Sequence, residues 1–215
     1  MAQRANDGNS RKERHLKESA EPGRGIKAWL CARAKSLWAA LRGTTAEEIT
    51  ATHHPAGGPG RILLMRHAEK TGDTSDILLS AEGTKRAQRL VTYIPETFGR
   101  PDFIYAAARS KRSIRSIETM RPLAAALGIE VQHHIEDKAF KSLVAEIFSK
   151  PGYHGKTIVI CWHHGKLPEI AALLGGREGS YPASWPQDVF NLILDFRYDQ
   201  KSNAPPTVCQ IVEPF

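Results

Sequence analysis

From residue 61 onward, short apolar runs alternate with helical patterns along the chain. Residues 62–65 are four large apolar residues in succession, and residues 157–162 form a β-branched apolar run. Such runs are typical of strands covered on both faces, as in parallel sheets flanked by helices. Between the runs, apolar residues recur at i, i+3, i+4 and i+7, which predicts helices. The pattern therefore predicts an α/β domain: a three-layer α/β/α fold with a mostly parallel sheet and an antiparallel strand at the edge.

Capping and turn residues set the expected limits of these elements. Ser80 is a predicted helix N-cap, and Gly128 is expected to end a second helix. A third helix carries the apolar face from Phe140 to Phe148 and should end before Pro151. Further strands are predicted at residues 103–107, 129–132, 189–196 and 207–212, the last two as an antiparallel pair.

Residues 1–58 differ from the rest in composition, which predicts two parts: an N-terminal appendage and a folded domain at 59–215. Residues 1–23 are polar and predicted to be disordered. Residues 25–42 place apolar residues at near-helical spacing among lysines and arginines, which predicts a basic amphipathic helix. Such a helix can lie on an anionic membrane surface, as a peripheral contact. Packing against its own domain or a protein partner is the alternative that we favour.

Composition limits the classes of partner and the compartment. The formal net charge of +7 is spread along the chain, so we expect no nucleic-acid partner, whereas a basic pocket for an anionic substrate would fit. No apolar run approaches the roughly 20 residues that cross a bilayer. The three cysteines, Cys31, Cys161 and Cys209, form no C-x-x-C pair, which predicts neither disulfides nor a zinc site. A reducing, cytoplasmic location is expected.

Residues suited to phosphoryl transfer stand at three distant places in the chain. Arg66 and His67 follow the first predicted strand, His163 and His164 follow the strand at 157–162, and Arg115 lies in the first turn of a predicted helix. Ligands of α/β sheets gather at the carboxyl ends of the strands. Planar guanidinium groups suit the spread negative charge of a phosphoryl group. A neutral imidazole among them can attack phosphorus and form a phosphohistidine.

Four stretches of the sequence resemble motifs of a known family, the histidine phosphatase superfamily, also called phosphoglycerate mutase-like. Residues 64–70, Leu-Met-Arg-His-Ala-Glu-Lys, are similar to its Arg-His-Gly motif in the Arg-His-Ala-Glu form. Residues 79–88 resemble its Leu-Thr/Ser-x-x-Gly and Ala-Gln stretch, residues 115–119 its Arg-x-x-x-Thr motif, and residues 158–165 the strand that delivers its second histidine. The resemblance runs in order through residues 61–175. It implies the family's fold, with His67 as phosphoryl acceptor in a pocket lined by Arg66, Arg115 and a second histidine.

Three roles in this site have more than one candidate residue: the second arginine, the second histidine and the proton donor. Arg115 is preferred over Arg109, Lys111 and Arg112 because it stands four residues before Thr119. Neighbours on an extended strand point to opposite faces, so only one of His163 and His164 should face the pocket. His164 is preferred because Gly165 follows it, as in the family. No carboxylate matches the family's proton donor. That role stays open among Glu118, Glu136 and Asp137.

The sequence therefore predicts a metal-independent enzyme without cofactor, a phosphoric monoester hydrolase of the histidine acid phosphatase type. Its substrate is expected to be a phosphate ester or phosphohistidine on a phosphorylated small molecule or phosphoprotein. The alternative is a catalytically weak phosphate-binding or regulatory module of the same fold. A third hypothesis, a metal-dependent hydrolase, would use the doublets His53-His54 and His133-His134, which we expect instead to be surface residues.

Overall fold

The computed structural model describes residues 58–215, which form a six-stranded sheet with helices on both faces. The strands are β1 Arg61–Arg66, β2 Phe103–Ala106, β3 Val131–Gln132, β4 Thr157–Trp162, β5 Leu192–Arg197 and β6 Thr207–Val212. The α-helices are α1 Ala81–Phe98, α2 Arg115–Leu127, α3 Phe140–Ser149 and α4 Leu167–Leu173.

The sheet is mixed and mostly parallel, in the order β3-β2-β4-β1-β5-β6. Strand β1 pairs in parallel with β4, which pairs in parallel with β2, and β2 pairs in parallel with β3. Strand β5 is antiparallel to both β1 and β6. The carboxyl ends of β1, β2 and β4 therefore meet at one edge of the sheet, where the residues that follow each strand are brought together.

Each face of the sheet has its own hydrophobic core, which accounts for the continuous apolar runs. Ile62 and Leu64 of β1 pack on one side with residues of α3 and α4. Leu63 and Met65 pack on the other side with residues of α1 and α2. All four are fully buried. Because successive strand residues point to opposite faces, a strand covered on both faces must be apolar at every position. The predicted three-layer α/β/α arrangement is confirmed.

The predicted caps are present in the structure. The Ser80 hydroxyl accepts a hydrogen bond from the Gly83 amide at 3.1 Å, which begins α1. Gly128 ends α2 with a left-handed φ of 65°, a conformation that costs glycine little.

Three predicted strands are too long. Strand β2 ends at Ala106, β3 has only two residues, and β5 begins at Leu192. Ahead of β5, the backbone at 186–189 is turned toward Arg66 and contacts its side chain.

The predicted appendage, including the helix near 25–42, lies outside the described residues and stays a prediction. Within residues 58–215, no helix has the length and apolar content needed to cross a membrane.

Candidate active site

His67 lies directly after β1 and is 3% exposed. Its backbone amide donates to the Trp162 carbonyl of β4 at 3.1 Å, which continues the pairing of the two strands. Its ring Nδ1 lies 2.7 Å from the Ala68 carbonyl oxygen. Since a carbonyl can only accept, Nδ1 carries the proton and Nε2 keeps its lone pair. Nε2 makes no hydrogen bond with any residue in the described part of the chain.

The surroundings of His67 keep its imidazole neutral. Burial lowers its pKa from 6.5 to about 3; the Ala68 carbonyl opposes this shift, while His163, Arg66 and Arg115 add to it. A neutral imidazole with a free Nε2 is the form that can act as a nucleophile.

The loop after His67 is fixed by both α1 and α2. The Ala68 amide donates to the Thr119 hydroxyl at 2.9 Å, and that hydroxyl donates to the Arg115 carbonyl at 2.8 Å. The Glu69 carbonyl accepts from the Ser80 amide at 2.9 Å. Gly83 packs so closely on the Glu69 backbone that a Cβ would collide with it. The Arg-x-x-x-Thr and Ser-x-x-Gly patterns thus have a structural purpose: they position Ala68 and Glu69.

Arg66 is 1% exposed and is oriented by the backbone of residues 186–189. Its Nη1 lies 2.7 Å from the Gln187 carbonyl oxygen, with the carbonyls of Pro186 and Val189 at 3.3 and 3.2 Å. The guanidinium stacks on the Phe190 ring, 3.8 Å from its centroid. The Nε of Arg66 is buried without a partner. Burial, then the charge of Arg115, lowers its pKa to about 10, so it remains charged at neutral pH.

Arg115, the first residue of α2, is held in a similar way. Its Nη1 donates to the Asp76 carbonyl at 2.7 Å and its Nη2 to the Arg112 carbonyl at 3.3 Å. Its Nε is also buried without a partner. Because a buried unpaired donor costs roughly 1–3 kcal/mol, and more when charged, two such atoms in one region indicate a site for an anionic ligand.

The structure places both histidines at the cavity, in different positions. The ring of His163, not that of His164, contacts His67, edge to face with 5.2 Å between ring centroids. Both histidines line the same cavity, so the expectation that only one faces it is wrong. The physical reason is that β4 ends at Trp162 and the chain turns, with the Lys166 amide donating to the His163 carbonyl at 3.0 Å. Strand alternation therefore does not apply to this doublet.

A cavity of about 1220 Å³ lies beside this cluster. Its lining includes Arg115, His163 and His164, whereas Arg66 and His67 are not part of it. His163 belongs to both places, since it lines the cavity and its ring contacts His67. Burial lowers the pKa of both His163 and His164, which favours neutral rings. The cluster thus combines neutral imidazoles with two permanently charged guanidiniums.

The three candidate carboxylates occupy different places. Glu118 accepts a hydrogen bond from the Leu79 amide at 3.0 Å and is not part of the cavity lining. Glu136 and Asp137 both line the cavity. Glu136 is exposed, whereas Asp137 is half-buried and its Oδ1 is buried without a partner.

Sequence reasoning missed the groups that orient Arg66. They are backbone carbonyls of residues 186–189 and the ring of Phe190, and a carbonyl leaves no signal in a sequence because every residue has one.

The doublet His133-His134 forms no metal site with other described residues. The ring Nε2 of His134 lies 2.9 Å from a carboxylate oxygen of Glu146, a surface contact. No group of three or more metal-binding side chains occurs in residues 58–215. His53 and His54 lie outside the described residues.

Comparisons with known proteins identify the fold. No protein-family model matches the chain, and no curated protein matches it. Among solved structures, the protein histidine phosphatase SixA complexed with tungstate is 12% identical, with a TM-score of 0.55, covering 71% of this chain and 96% of that one. The putative phosphohistidine phosphatase SixA from Agrobacterium tumefaciens is 17% identical, with a TM-score of 0.52, covering 72% of this chain and 99% of that one. The chain has the fold of the histidine phosphatase superfamily, as the motif resemblance implied.

Proposed function

We propose that this protein is a phosphatase that hydrolyses a phosphate ester or phosphohistidine through a covalent phosphohistidine on His67. The observation that carries the proposal is the unpaired, buried Nε of both Arg66 and Arg115 beside a neutral histidine with a free Nε2. A phosphoryl group carries negative charge spread over its oxygens, which suits the charged, unneutralised guanidiniums of both arginines.

The reaction runs in two steps that share one site. The Nε2 lone pair of His67 attacks phosphorus, the bond to the leaving group breaks, and the leaving group takes a proton. Water then attacks the phosphohistidine, the phosphorus–nitrogen bond breaks, and phosphate leaves. Arg66, Arg115 and His163 donate hydrogen bonds to the phosphoryl oxygens, whose charge must be stabilised in both transition states.

Proteins of the same fold support this proposal. One is described as a protein histidine phosphatase in complex with tungstate, a tetrahedral oxyanion, and another as a putative phosphohistidine phosphatase. The identities of 12% and 17% carry the fold alone, so the choice between an ester and a phosphohistidine belongs to the proposal.

Asp137 is our candidate for the proton donor. Its carboxylate lines the cavity, has an unpaired buried oxygen and partly opposes the burial that lowers the pKa of His163 and His164. Its backbone is held at the start of a short 3-10 turn, where its carbonyl accepts from the Trp162 indole at 3.2 Å. Asp137→Asn should slow substrates with poor leaving groups much more than p-nitrophenyl phosphate, since a good leaving group needs little protonation.

The test of the central proposal is chemical trapping. The enzyme is mixed with a ³²P-labelled substrate and quenched in base, because a phosphohistidine survives alkali and is lost in acid. Wild type should carry label with EDTA present, and His67→Ala should carry none. His163→Ala leaves the nucleophile in place and should label slowly, so it serves as the matched control.

The outcomes of trapping separate the alternatives. A His67→Ala protein that labels and turns over normally would end this mechanism. Tungstate binding without labelling or turnover would favour the weak phosphate-binding or regulatory module. Loss of activity in EDTA would favour a metal-dependent hydrolase.

A further inference from the structure

The cavity beside His163 carries more positive charge than the transferred phosphoryl group requires. Its lining holds five basic and two acidic side chains: Arg109, Lys111, Arg112, Arg115 and Lys138 against Glu136 and Asp137. Arg115 belongs to the phosphoryl site described above. Four cations therefore face two carboxylates in the part of the cavity that lies beyond it.

Within residues 58–215, these four cations are not neutralised by ion pairs. Arg109, Lys111, Arg112 and Lys138 make no ion pair with a carboxylate among residues 58–215. Cations elsewhere in this part of the chain do, such as Arg61 with Asp195 at 2.7 Å and Lys156 with Asp102 at 3.1 Å. The four side chains are exposed, so their charge is available to a ligand that enters the cavity.

Three of the cations stand on a loop with a fixed backbone, residues 109–113, which we name the basic loop. The Ser110 amide donates to the Ser113 carbonyl at 3.0 Å, and the Ser110 hydroxyl accepts from the amides of Arg112 and Ser113, both at 3.1 Å. The loop is tied to the phosphoryl site because the Arg112 carbonyl accepts from Arg115. The basic loop and the phosphoryl site are thus held in a fixed relation.

The size of the cavity shows that a phosphoryl group alone would not fill it. About 1220 Å³ exceeds the roughly 300–1,000 Å³ of ordinary small-molecule pockets. The cavity therefore leaves room for the leaving group of a substrate next to the basic loop.

We propose that the substrate carries a second anionic group on its leaving-group side, which the basic loop binds while the phosphoryl group lies at Arg66, Arg115 and His67. This inference rests on the proposed function and names its substrate class. The shared chemistry is a carboxylate or phosphate near the reacting phosphoryl group, on a small molecule or on an acidic polypeptide segment.

The test compares esters that differ in one charge. We would measure kcat/KM for 4-carboxyphenyl phosphate and 4-carbamoylphenyl phosphate, and for phosphotyrosine peptides flanked by glutamate or by glutamine. In at least one pair, kcat/KM of wild type should be on the order of tenfold higher for the anionic member. Each exposed ion pair contributes roughly a factor of two, and the three cations of the basic loop act together. The pair that shows the preference identifies a small-molecule or a polypeptide source.

Charge variants locate the effect. Arg109→Gln/Lys111→Gln/Arg112→Gln should reduce the preference to nearly one. The control, Arg121→Gln/Arg177→Gln/Lys201→Gln, removes the same charge from exposed positions outside the cavity lining and should keep the preference. In wild type, added salt should weaken the preference because exposed charges are screened within about 10 Å at 0.1 M. This salt series needs no variant, so it tests the proposal even if the loop variant folds poorly.

Two results would overturn the inference: turnover of both members of each pair at equal rates, or an equal loss of preference in the loop and control variants. Either leaves the proposed function intact. Failure of wild type to turn over any of the four esters, without labelling of His67, would instead contradict the proposed function itself.

Discussion

Two regions of the molecule hold buried or half-buried arginines in opposite ways. At the candidate site, Arg66 and Arg115 are oriented by backbone carbonyls, and each keeps a buried Nε without a partner. On α1, by contrast, Arg86 lies between two carboxylates. It contacts Glu69 at 2.8 Å and Glu213 at 2.6 Å. Arg66 and Arg115 are oriented without being neutralised, whereas Arg86 is neutralised by carboxylates.

The pKa directions agree with this difference. Burial lowers the pKa of Arg66, and the nearby charge of Arg115 lowers it further. Burial on its own would lower the pKa of Arg86 as well. The hydrogen bonds that Arg86 makes with Glu69 and Glu213 outweigh burial and raise this pKa overall. A backbone carbonyl is uncharged, so it orients a guanidinium without neutralising it, and the positive charge can act on a ligand. A carboxylate neutralises the guanidinium, and the ion pair stabilises the fold. We therefore expect the site arginines to matter for activity and Arg86 to matter for folding.

The largest expected effect is that of Arg115→Ala on catalysis. Removing a donor to the transition-state charge should lower kcat/KM for p-nitrophenyl phosphate on the order of a hundredfold or more. Arg121→Ala, on the exposed side of the same helix, is the control and should leave kcat/KM near that of wild type. If Arg112→Ala proved more damaging than Arg115→Ala, the register that assigns Arg115 to the site would be wrong.

Arg86→Gln should show the reverse balance. At pH 8, where Glu213 is ionised, loss of Arg86 leaves this fully buried carboxylate without its partner, so the free energy of unfolding should fall by about 3 kcal/mol in urea titrations. The fall in kcat/KM should be smaller than that of Arg115→Ala. Arg89→Gln, an exposed neighbour on α1, should stay within about 0.5 kcal/mol of wild type. A catalytic loss as large as that of Arg115→Ala, at unchanged stability, would erase the distinction between the two regions.

The smallest expected effect is a change in the pH dependence of stability in Glu213→Gln. Burial raises the pKa of Glu213 from 4.5 to about 7, although Arg86 partly offsets the shift. Between pH 4.5 and 7 the folded state therefore binds more protons than the unfolded state, and the free energy of unfolding contributed by Glu213 falls as pH rises. Glutamine should remove this fall, on the order of 2 kcal/mol across the window.

Unfolding titrations of wild type and variant at pH 4.5, 5.5, 6.5 and 7.5 measure that difference directly. Parallel curves for the two proteins would mean that Glu213 is ionised throughout and that its region resembles an ordinary exposed ion pair.

The apolar pattern of the sequence determined the layers of this protein. A run such as 62–65 is apolar at every position because both faces of β1 are covered, and that requirement is visible without coordinates. Ser80 and Gly128 set helix ends through chemistry that is local in sequence. Arg66, His67 and Arg115 were found because each stands at the end of a strand or the start of a helix, and the fold places such positions at one edge of the sheet.

Only the tertiary structure decided how these residues are held. His163 contacts His67 because the chain leaves β4 at Trp162 and turns, and the sequence does not reveal where a strand stops within one residue. Arg66 is oriented by carbonyls about 120 residues away, for which no side chain gives a signal. The sequence specifies the side chain at each position, whereas the backbone carbonyl is the same at every position. Which carbonyls turn toward an arginine therefore depends on the completed fold.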